Sequence, residues 1–230
     1  MLNFEQFEVL SFDCYGTLID WESGLLPILQ SLLEKYHIKE HDRVLLESFA
    51  QFEADAEKGE FINYRQVLRK VVTQFGVKYA LRFTETELNS LGESLKNWQP
   101  FPDTVAALKQ LKEKYKLAII SNVDDDLFAE TAKHLSIEFD YVITAQQVKA
   151  YKPSTRNFEI ARDRMGIAPE KWLHIAQSIY HDIVPAKSMG LSTIWVNRRQ
   201  DKEGSGATLP ATAQPDLEVP DLPSLIRKIK

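Results

Sequence analysis

Short apolar runs alternate along this chain with longer segments of helical periodicity. Five largely apolar runs, each bounded by polar residues or glycine, predict buried strands. They are residues 8–13, 116–121, 141–145, 172–176 and 192–197.

The segment between the first two predicted strands has a different pattern. Across residues 20–98, apolar residues recur three and four positions apart, as they do on one face of a helix. Gly59 and Gly76 predict breaks between successive helices. The spacing is clearest in two groups: Leu25, Ile28, Leu29 and Leu32, and Val67, Leu68, Val71 and Val72. This block therefore predicts a separate helical unit.

After residue 98, predicted strands and helices alternate. Polar caps and glycines mark the helix ends. Asp103 and either Asp124 or Asp125 are predicted N-terminal caps, Ser154 opens a helix that Gly166 ends, and Gly190 ends the helix after it. Residues 200–214 predict a loop, and a last helix is predicted to begin near Asp221.

Strands that alternate with helices predict right-handed crossovers and a parallel sheet covered on both faces. The predicted fold class is α/β, a doubly wound, Rossmann-like parallel sheet with a helical cap inserted after the first strand. Residues 1–18 and 99–230 are assigned to the core, and residues 19–98 to the cap.

Composition narrows the range of partners. The 230 residues carry a net charge of -5, so the overall charge gives no reason to bind nucleic acid or an anionic membrane. Cys14 is the single cysteine, which excludes an intrachain disulfide. Glu5 and Glu8 stand where a secretion signal carries basic residues, and the sequence has no apolar run long enough to span a bilayer. We therefore expect a cytoplasmic protein with a small-molecule substrate.

Polar residues follow the predicted strands at their carboxyl ends, where open parallel sheets bind ligands. Residues 13–17 follow the first strand, and Ser121 and Asn122 end the second. Residues 151–153 lie beyond the third strand, and residues 177–182 follow the fourth. Two carboxylates, an amine, hydroxyls and amides are thus predicted to meet at one edge.

These segments resemble the four motifs of the haloacid dehalogenase superfamily, in the same order along the chain. They read Asp-Cys-Tyr-Gly-Thr-Leu at residues 13–18, Ser-Asn at 121–122, Tyr-Lys-Pro at 151–153, and Ser with Asp at 178 and 182. The helical block lies where that superfamily places its cap. The resemblance is strongest to the type II 2-haloacid dehalogenase branch.

The resemblance implies a covalent mechanism with Asp13 as nucleophile. Lys152 would keep the carboxylate ionised in a pocket where desolvation raises its pKa. Thr17 and Ser121 would hydrogen-bond and orient the carboxylate, and Asp182 would pair with Lys152 or position the hydrolytic water. Gly16 would let the turn leave backbone amides free to face an anionic substrate.

Further residues are candidates for contact with the substrate. Asn122 is suited to bind the leaving group, and Tyr15, Gln177 and Ser178 lie beside the motifs that carry the chemistry. Cys14 and Trp98 are two more candidates, and Trp21 is a third. Alternation along an extended segment nevertheless points Cys14 away from the face that Asp13 uses, which favours packing. Trp21 and Trp98 flank the hinges of the cap and are candidates for the pocket wall.

Two positions distinguish dehalogenases from phosphatases in this superfamily. The phosphatases carry a second Asp two residues after the nucleophile, where it protonates the leaving alcohol. Tyr15 stands there in this chain, and a halide needs no proton to leave. The first acidic position of their metal-binding motif is Gln177 here, so we expect no required cofactor. The phosphatase alternative would use Mg²⁺ held by Asp13, the Tyr15 carbonyl and Asp182.

The sequence departs from 2-haloacid dehalogenases where those enzymes bind the substrate carboxylate and halide with an arginine of an early cap helix. Phe49, Ala50 and Gln51 occupy that region, and Arg43 and Arg65 are the nearby alternatives. In addition, Phe158 replaces a tyrosine, and residues 177–179 replace a serine–serine–asparagine run.

Several other polar residues have ordinary structural interpretations. His174 lies inside a predicted strand and is expected in the core, and His181 is interpreted as structural because no serine triad accompanies it. The acidic run at residues 124–126 predicts a helix start rather than a metal site.

Three hypotheses follow. The first is a hydrolytic dehalogenase in which Asp13 displaces halide from a small 2-haloacid, and water then hydrolyses the aspartyl ester. The second is a Mg²⁺-dependent phosphatase acting on a small phosphate ester. The third is a non-catalytic binding protein with a degenerate site. The helical cap also offers a surface on which a homodimer could form.

Overall fold

The computed structural model describes residues 2–229 of the chain, and these form an α/β fold built on a six-stranded parallel sheet. The strand order is β3-β2-β1-β4-β5-β6. The strands are β1 (Val9–Phe12), β2 (Lys116–Ser121), β3 (Tyr141–Thr144), β4 (Trp172–Ala176), β5 (Ser192–Val196) and β6 (Leu217–Val219). The predicted α/β fold class and the five predicted strands are confirmed.

Helices precede, link and follow these strands. They are α1 (Trp21–Glu34), α2 (Asp42–Ala56), α3 (Tyr64–Tyr79), α4 (Glu85–Leu88), α5 (Ser90–Ser94), α6 (Thr104–Lys112), α7 (Asp125–Leu135), α8 (Ala145–Val148), α9 (Arg156–Met165), α10 (Val184–Ser188) and α11 (Leu222–Ile229). A π-helical turn, Ile179–Ile183, directly precedes α10. Along the chain, helices α1 to α5 lie between β1 and β2, and they form the helical insertion.

The central strand β1 shows why the sheet is buried on both faces. Val9 packs into one apolar cluster with Ala118 and Ile120, whereas Leu10 and Phe12 pack into a larger cluster on the other side. Successive side chains of a strand point to opposite faces, so an uninterrupted apolar run requires cover on both sides. The larger cluster extends into the helical insertion, which joins insertion and sheet in one core.

Two hydrogen-bonded contacts fix the start of α3 against the carboxyl edge of the sheet. The Asp124 carboxylate accepts hydrogen bonds from the backbone amides of Tyr64 and Arg65, at 2.8 and 3.1 Å. The Tyr151 hydroxyl donates to the Ile62 carbonyl oxygen at 2.8 Å. Asp124 does precede α7 as predicted, but its side chain caps α3 instead, because the free amides of that helix end lie within its reach.

Some boundary predictions were wrong. Gly76 lies inside α3 rather than at a break, where a Cβ would come within 3.1 Å of the Leu81 carbonyl oxygen. Close packing therefore accounts for this glycine. The helix expected to open at Ser154 begins at Arg156. The Asp103 side chain accepts hydrogen bonds from Arg198 and the Leu222 amide instead of capping α6.

The predicted loop at residues 200–214 is free of helix and strand, but it is not simply a solvated connection. Ala207 and Thr208 are buried, and the Ala207 amide donates to the Glu22 carboxylate at 3.1 Å. Strand β6, which follows this loop, was missed because three residues give too short an apolar pattern. Within residues 2–229, the structure has no helix that is both long and apolar enough to cross a membrane.

We predict that replacing Gly24 in α1 with alanine destabilises the protein. A Cβ at this position would lie 2.8 Å from Nε1 of the buried Trp98. Overpacking costs about 1–3 kcal/mol, which exceeds the ~1 kcal/mol that alanine gains over glycine in a helix.

Gly92→Ala in α5 is the matched control, because the nearest atom to its Cβ is the Arg65 Cγ at 4.0 Å. Urea unfolding should show Gly24→Ala less stable, and Gly92→Ala equally or more stable, than the wild type. Equal stabilisation by both substitutions would contradict the packing argument.

Candidate active site

Asp13 lies immediately after β1, at the carboxyl edge of the central strand. Its side chain is 9% exposed, and each carboxylate oxygen accepts one hydrogen bond. The Thr17 hydroxyl donates to Oδ2 at 2.7 Å, and the Lys152 ammonium donates to Oδ1 at 2.9 Å. Burial raises the pKa of Asp13 above its ordinary value, and the adjacent Lys152 opposes that rise. The carboxylate is therefore oriented by two donors.

Lys152 is buried between two carboxylates. Its Nζ donates to Asp13 Oδ1, to Asp182 Oδ1 at 2.7 Å and to the Ile120 carbonyl oxygen at 2.8 Å. An ammonium group has three protons, so these acceptors use all of them. Burial alone would lower the pKa of Lys152, but Asp13 and Asp182 outweigh it and raise that pKa. Lys152 therefore stays charged, and the three groups together carry a net charge of -1.

Asn122 holds the backbone of Lys152 in place. Its Oδ1 accepts from the Lys152 amide at 2.7 Å, and its Nδ2 donates to the Lys152 carbonyl oxygen at 3.0 Å. Asn122 was expected to bind the leaving group. In the structure its amide group lines the cavity, but these two bonds make it a positioning residue for Lys152.

A chain of buried side chains orients Asp182. The Trp172 indole N–H donates to the Ser11 hydroxyl at 2.6 Å, and that hydroxyl lies 2.8 Å from His174 Nδ1. Because an ionised Asp182 can only accept, His174 Nε2 carries a proton and donates to Asp182 Oδ1 at 3.0 Å. Burial opposes ionisation of Asp182, but Lys152 and His174 lower its pKa below the ordinary value. His174 is in the core, as predicted, and it also fixes this carboxylate.

A small cavity of ≈ 30 Å³ opens beside Asp13. That volume holds roughly two or three water molecules. Three buried polar atoms of residues around it have no hydrogen-bond partner among the described residues: Ser121 Oγ, His181 Nε2 and Asp182 Oδ2. The lining residues are Asp13, Tyr15, Trp21, Glu53, Tyr64, Ser121, Asn122, Lys152, Ser178, His181, Asp182 and Thr208.

The structure brings most of the expected site residues together, but four of them do not line the cavity: Thr17, which still reaches Asp13 through its hydrogen bond, and Cys14, Trp98 and Gln177. Cys14 is fully buried on the opposite side from Asp13, and burial raises its thiol pKa well above the ordinary value. Trp98 packs edge-on against Tyr15 without lining the cavity. The side chain of Gln177 lies in a neighbouring pocket beside Gly16. The backbone amide of Gln177 donates to Thr17 Oγ1 at 2.8 Å.

One expectation about hydrogen bonding was wrong, and one backbone amide of the turn at Gly16 is already engaged. Ser121 lines the cavity, but its hydroxyl does not bond to Asp13. The Gly16 amide donates to the Ile19 carbonyl oxygen at 2.8 Å, so it is not available to a substrate. Gly16 does supply the tight turn, with φ of 91°.

Tyr15 forms part of the cavity wall, and its hydroxyl is engaged elsewhere. The hydroxyl lies 2.8 Å from Thr131 Oγ1 on α7. Burial raises the pKa of Tyr15 well above its ordinary value. Tyr15 is therefore unsuited to the proton transfer that a phosphatase assigns to an aspartate at this position.

The sequence interpretation missed Glu53, Tyr64, Thr208 and the position of His181. Glu53 had a visible signal, because it continues the buried face of α2 four residues after Phe49. Tyr64 and Thr208 had none. His181 was interpreted as structural, yet it lines the cavity, and its Nδ1 lies 3.2 Å from the Ser178 hydroxyl. Burial lowers the pKa of His181 to about 4, so this ring is neutral near pH 7.

Both arginines proposed as substitutes for the cap arginine lie elsewhere. Arg43 pairs with Glu47 on α2 at 2.9 Å, and Arg65 pairs with Asp126 at 2.7 Å. Both are surface pairs outside the cavity lining.

The donor set does not fit a magnesium ion. Lys152 binds Oδ1 of both Asp13 and Asp182, and Thr17 binds Asp13 Oδ2, so among the described residues only Asp182 Oδ2 of these two carboxylates is left for the ion. In the part of the chain that the structure describes, no group of three or more histidine, cysteine, aspartate or glutamate side chains is placed to hold a metal. The chemistry of this site is therefore considered from its side chains alone.

The sequence profile of the haloacid dehalogenase-like hydrolases matches residues 10–196. The chain belongs to this family. It is 25% identical over 232 residues to the haloacetate dehalogenase H-2 of Moraxella sp. (strain B), covering 98% of this chain and 99% of that enzyme. A glyceraldehyde 3-phosphate phosphatase of Methanothermobacter thermautotrophicus is 39% identical, but over only 43% of this chain and 45% of the phosphatase.

Comparison of structures agrees with this assignment. The crystal structure of an L-2-haloacid dehalogenase has a TM-score of 0.80 and 25% identity to this chain, and the alignment covers 97% of this chain and 98% of that one. Both of these dehalogenases match nearly the whole chain, whereas the phosphatase matches less than half of it. Together with family membership, this favours a dehalogenase-type hydrolase over a phosphatase.

We predict that Lys152→Met destabilises the fold by about 3–5 kcal/mol near pH 7, because two buried carboxylates lose their shared cation. Without Lys152, burial and mutual repulsion raise both native pKa values, so the native state binds protons more tightly than the unfolded chain. The difference in the free energy of unfolding between the wild type and Lys152→Met should therefore shrink as the pH falls from 7 to 5.

Lys133→Met is the control, because the Lys133 side chain is 66% exposed and pairs with an exposed Glu130. Such a pair contributes about 0–1 kcal/mol. Urea unfolding of both variants at pH 7 and pH 5 measures the difference. A Lys152→Met deficit that is as small as that of Lys133→Met, or independent of pH, would contradict the prediction.

Proposed function

We propose that this protein is a hydrolytic dehalogenase whose nucleophile is Asp13 and whose substrate is a small 2-haloacid. The observation that carries the proposal is the Asp13 carboxylate, oriented by Thr17 and Lys152 at the wall of a small cavity. The position two residues on holds Tyr15, whose hydroxyl is engaged at Thr131. A halide leaves without a proton, so this site suits halide displacement.

In the first step, an Asp13 oxygen forms a bond to the halogen-bearing carbon. The carbon–halogen bond breaks, and the halide leaves with the bonding electron pair. Lys152 and Thr17 hold the carboxylate in line with the carbon, and such alignment contributes up to about 7–11 kcal/mol. Ser121 Oγ and His181 Nε2, both neutral and without protein partners, can donate to the departing halide. The product is an aspartyl ester and a free halide.

In the second step, water attacks the carbonyl carbon of the Asp13 ester. The bond from that carbon to the substrate oxygen breaks, which releases a 2-hydroxy acid, and one water proton completes the new hydroxyl group. The other proton leaves the site, and Asp13 regains its carboxylate with one oxygen from water. Asp182 Oδ2 is buried and lacks a protein partner, so it is placed to accept a hydrogen bond from that water.

The proposal predicts halide release from chloroacetate, bromoacetate or 2-chloropropionate in the presence of EDTA. Asp13→Asn should abolish release, whereas Asp163→Asn on the surface of α9 should not change it. In a single turnover in H₂¹⁸O, mass spectrometry should find the label in Asp13. Turnover without label in Asp13 would exclude the ester, and activity on phosphate esters only with Mg²⁺ would favour a phosphatase.

The pH dependence of turnover is a separate prediction. Asp13 must be ionised to attack, so kcat should decline as the pH falls through its native pKa, which burial raises above 3.8. Lys152 has a raised pKa and stays protonated well into alkaline solution. Thr17→Val removes a hydrogen bond to the ionised form, so it should move the acid limb to higher pH.

The control for this experiment is Thr73→Val on the exposed side of α3, where the hydroxyl donates to a backbone carbonyl. The wild type, Thr17→Val and Thr73→Val are compared as kcat at saturating substrate from pH 4 to pH 8. An acid limb at the same pH in all three proteins would show that Thr17 does not set the ionisation of Asp13.

A further inference from the structure

The cavity beside Asp13 has no unused positive charge for a substrate carboxylate. Among the described residues that line it, Lys152 is the only cationic side chain. All three protons of Lys152 are used by Asp13, Asp182 and the Ile120 carbonyl oxygen. An anionic substrate must therefore be bound by neutral donors.

The helical insertion presents Glu53 to this cavity from α2. Glu53 is 4% exposed, and the Tyr64 hydroxyl, on a residue 3% exposed, donates to its Oε1 at 2.5 Å. The other oxygen, Oε2, has no hydrogen bond from the residues described by the structure. Because Tyr64 fixes Oε1 as an acceptor, a proton on Glu53 would reside on Oε2.

The surroundings of Glu53 favour that proton. Burial is the main cause that raises its pKa to about 7, Tyr64 opposes the rise, and the negative charge of Asp13 adds to it. Titratable side chains of several elements lie near Glu53. They are Asp13 and Tyr15 after β1, Glu57 at the C-terminal end of α2, Tyr64 on α3, Tyr151 and Lys152 before α9, and His181 and Asp182 after β4. A substrate carboxylate would bring one more negative charge, which favours the neutral form further.

We propose that protonated Glu53 binds the substrate carboxylate, donating from Oε2 while Tyr64 holds Oε1, and so replaces a cationic residue as the determinant of acid specificity. This inference rests on the proposed dehalogenase function. A buried carboxylic acid kept neutral can serve as a hydrogen-bond donor near pH 7. Selection for an acid then depends on a proton that the protein takes up with its substrate.

The sign of the pH dependence follows from this. Below the pKa of Glu53 the donor is already protonated, so binding of an acid takes up no proton and KM is constant. Above it, the ionised Glu53 must gain a proton on binding, so KM should rise roughly tenfold per pH unit. Glu53→Gln keeps a donor at this position and cannot ionise, so its KM should stay low across the same range.

Proton uptake tests the proposal without turnover. Acetate is the probe, because it carries a carboxylate and no leaving group. Calorimetry in buffers of different ionisation enthalpy should detect close to one proton taken up per acetate bound to the wild type at pH 8, and almost none at pH 6, where Glu53 is already protonated and acetate is still ionised. Glu53→Gln should bind acetate at pH 8 without uptake.

Glu57→Gln is the matched control, because Glu57 directly follows α2, one helical turn after Glu53, and contacts Asn122 rather than lining the cavity. It should retain the uptake. Uptake that is absent in the wild type at pH 8, or lost in Glu57→Gln but kept in Glu53→Gln, would overturn the proposal. The comparison of the wild type at two pH values needs no variant, so a variant that fails to fold does not prevent the test.

A kinetic comparison separates this inference from the proposed function. If the wild type releases chloride from chloroacetate through Asp13, but KM does not change from pH 6 to pH 9, the role of Glu53 is excluded and the dehalogenase survives. Equal kcat/KM for chloroacetamide and chloroacetate would also exclude the role of Glu53. The proposal makes the substrate carboxylate the group that Glu53 recognises, and an amide has no carboxylate. If no haloacid loses halide, the proposed function itself fails.

Discussion

The site is organised around one ammonium group held between two buried carboxylates. Lys152 satisfies Asp13 and Asp182 at once, and its third proton is bound by a carbonyl oxygen of β2. Two buried carboxylates without a cation would repel each other and take up protons. The ion triad therefore favours the ionised form of Asp13, the proposed nucleophile, in a place where burial alone favours the neutral form.

The parallel sheet makes this arrangement rigid. Asp13 follows β1, and Asn122, which directly follows β2, binds both backbone polar groups of Lys152. Asp182 follows β4 and is oriented by His174 from within that strand. Since β1 lies between β2 and β4, its end is the point from which side chains of both neighbours can reach one carboxylate. Three buried strands thus position the charges more firmly than mobile loops would.

The helical insertion closes the other side of the cavity and adds Glu53 and Tyr64 to its wall. Asp124, at the sheet edge, caps α3 at Tyr64 and so holds the insertion against that edge. The same residue, Tyr64, binds Glu53, so the docking of the insertion and the orientation of its carboxyl group share one helix end. The insertion thus adds an acid, Glu53, rather than a base to a cavity that already holds two carboxyl groups. On the proposed role of Glu53, discrimination among small substrates depends on hydrogen bonds and on a proton rather than on a fixed positive charge.

The sequence by itself determined five of the six strands and the parallel sheet, because apolar runs are local signals, and its four motifs identified the residues of the ion triad. It could not place Glu53 or Thr208 beside Asp13, or show that Gln177 lies in a neighbouring pocket. Those facts depend on how the helical insertion and the loop at residues 200–214 pack against the sheet edge. Local patterns fix which residues are buried, but only tertiary packing decides which buried polar groups meet.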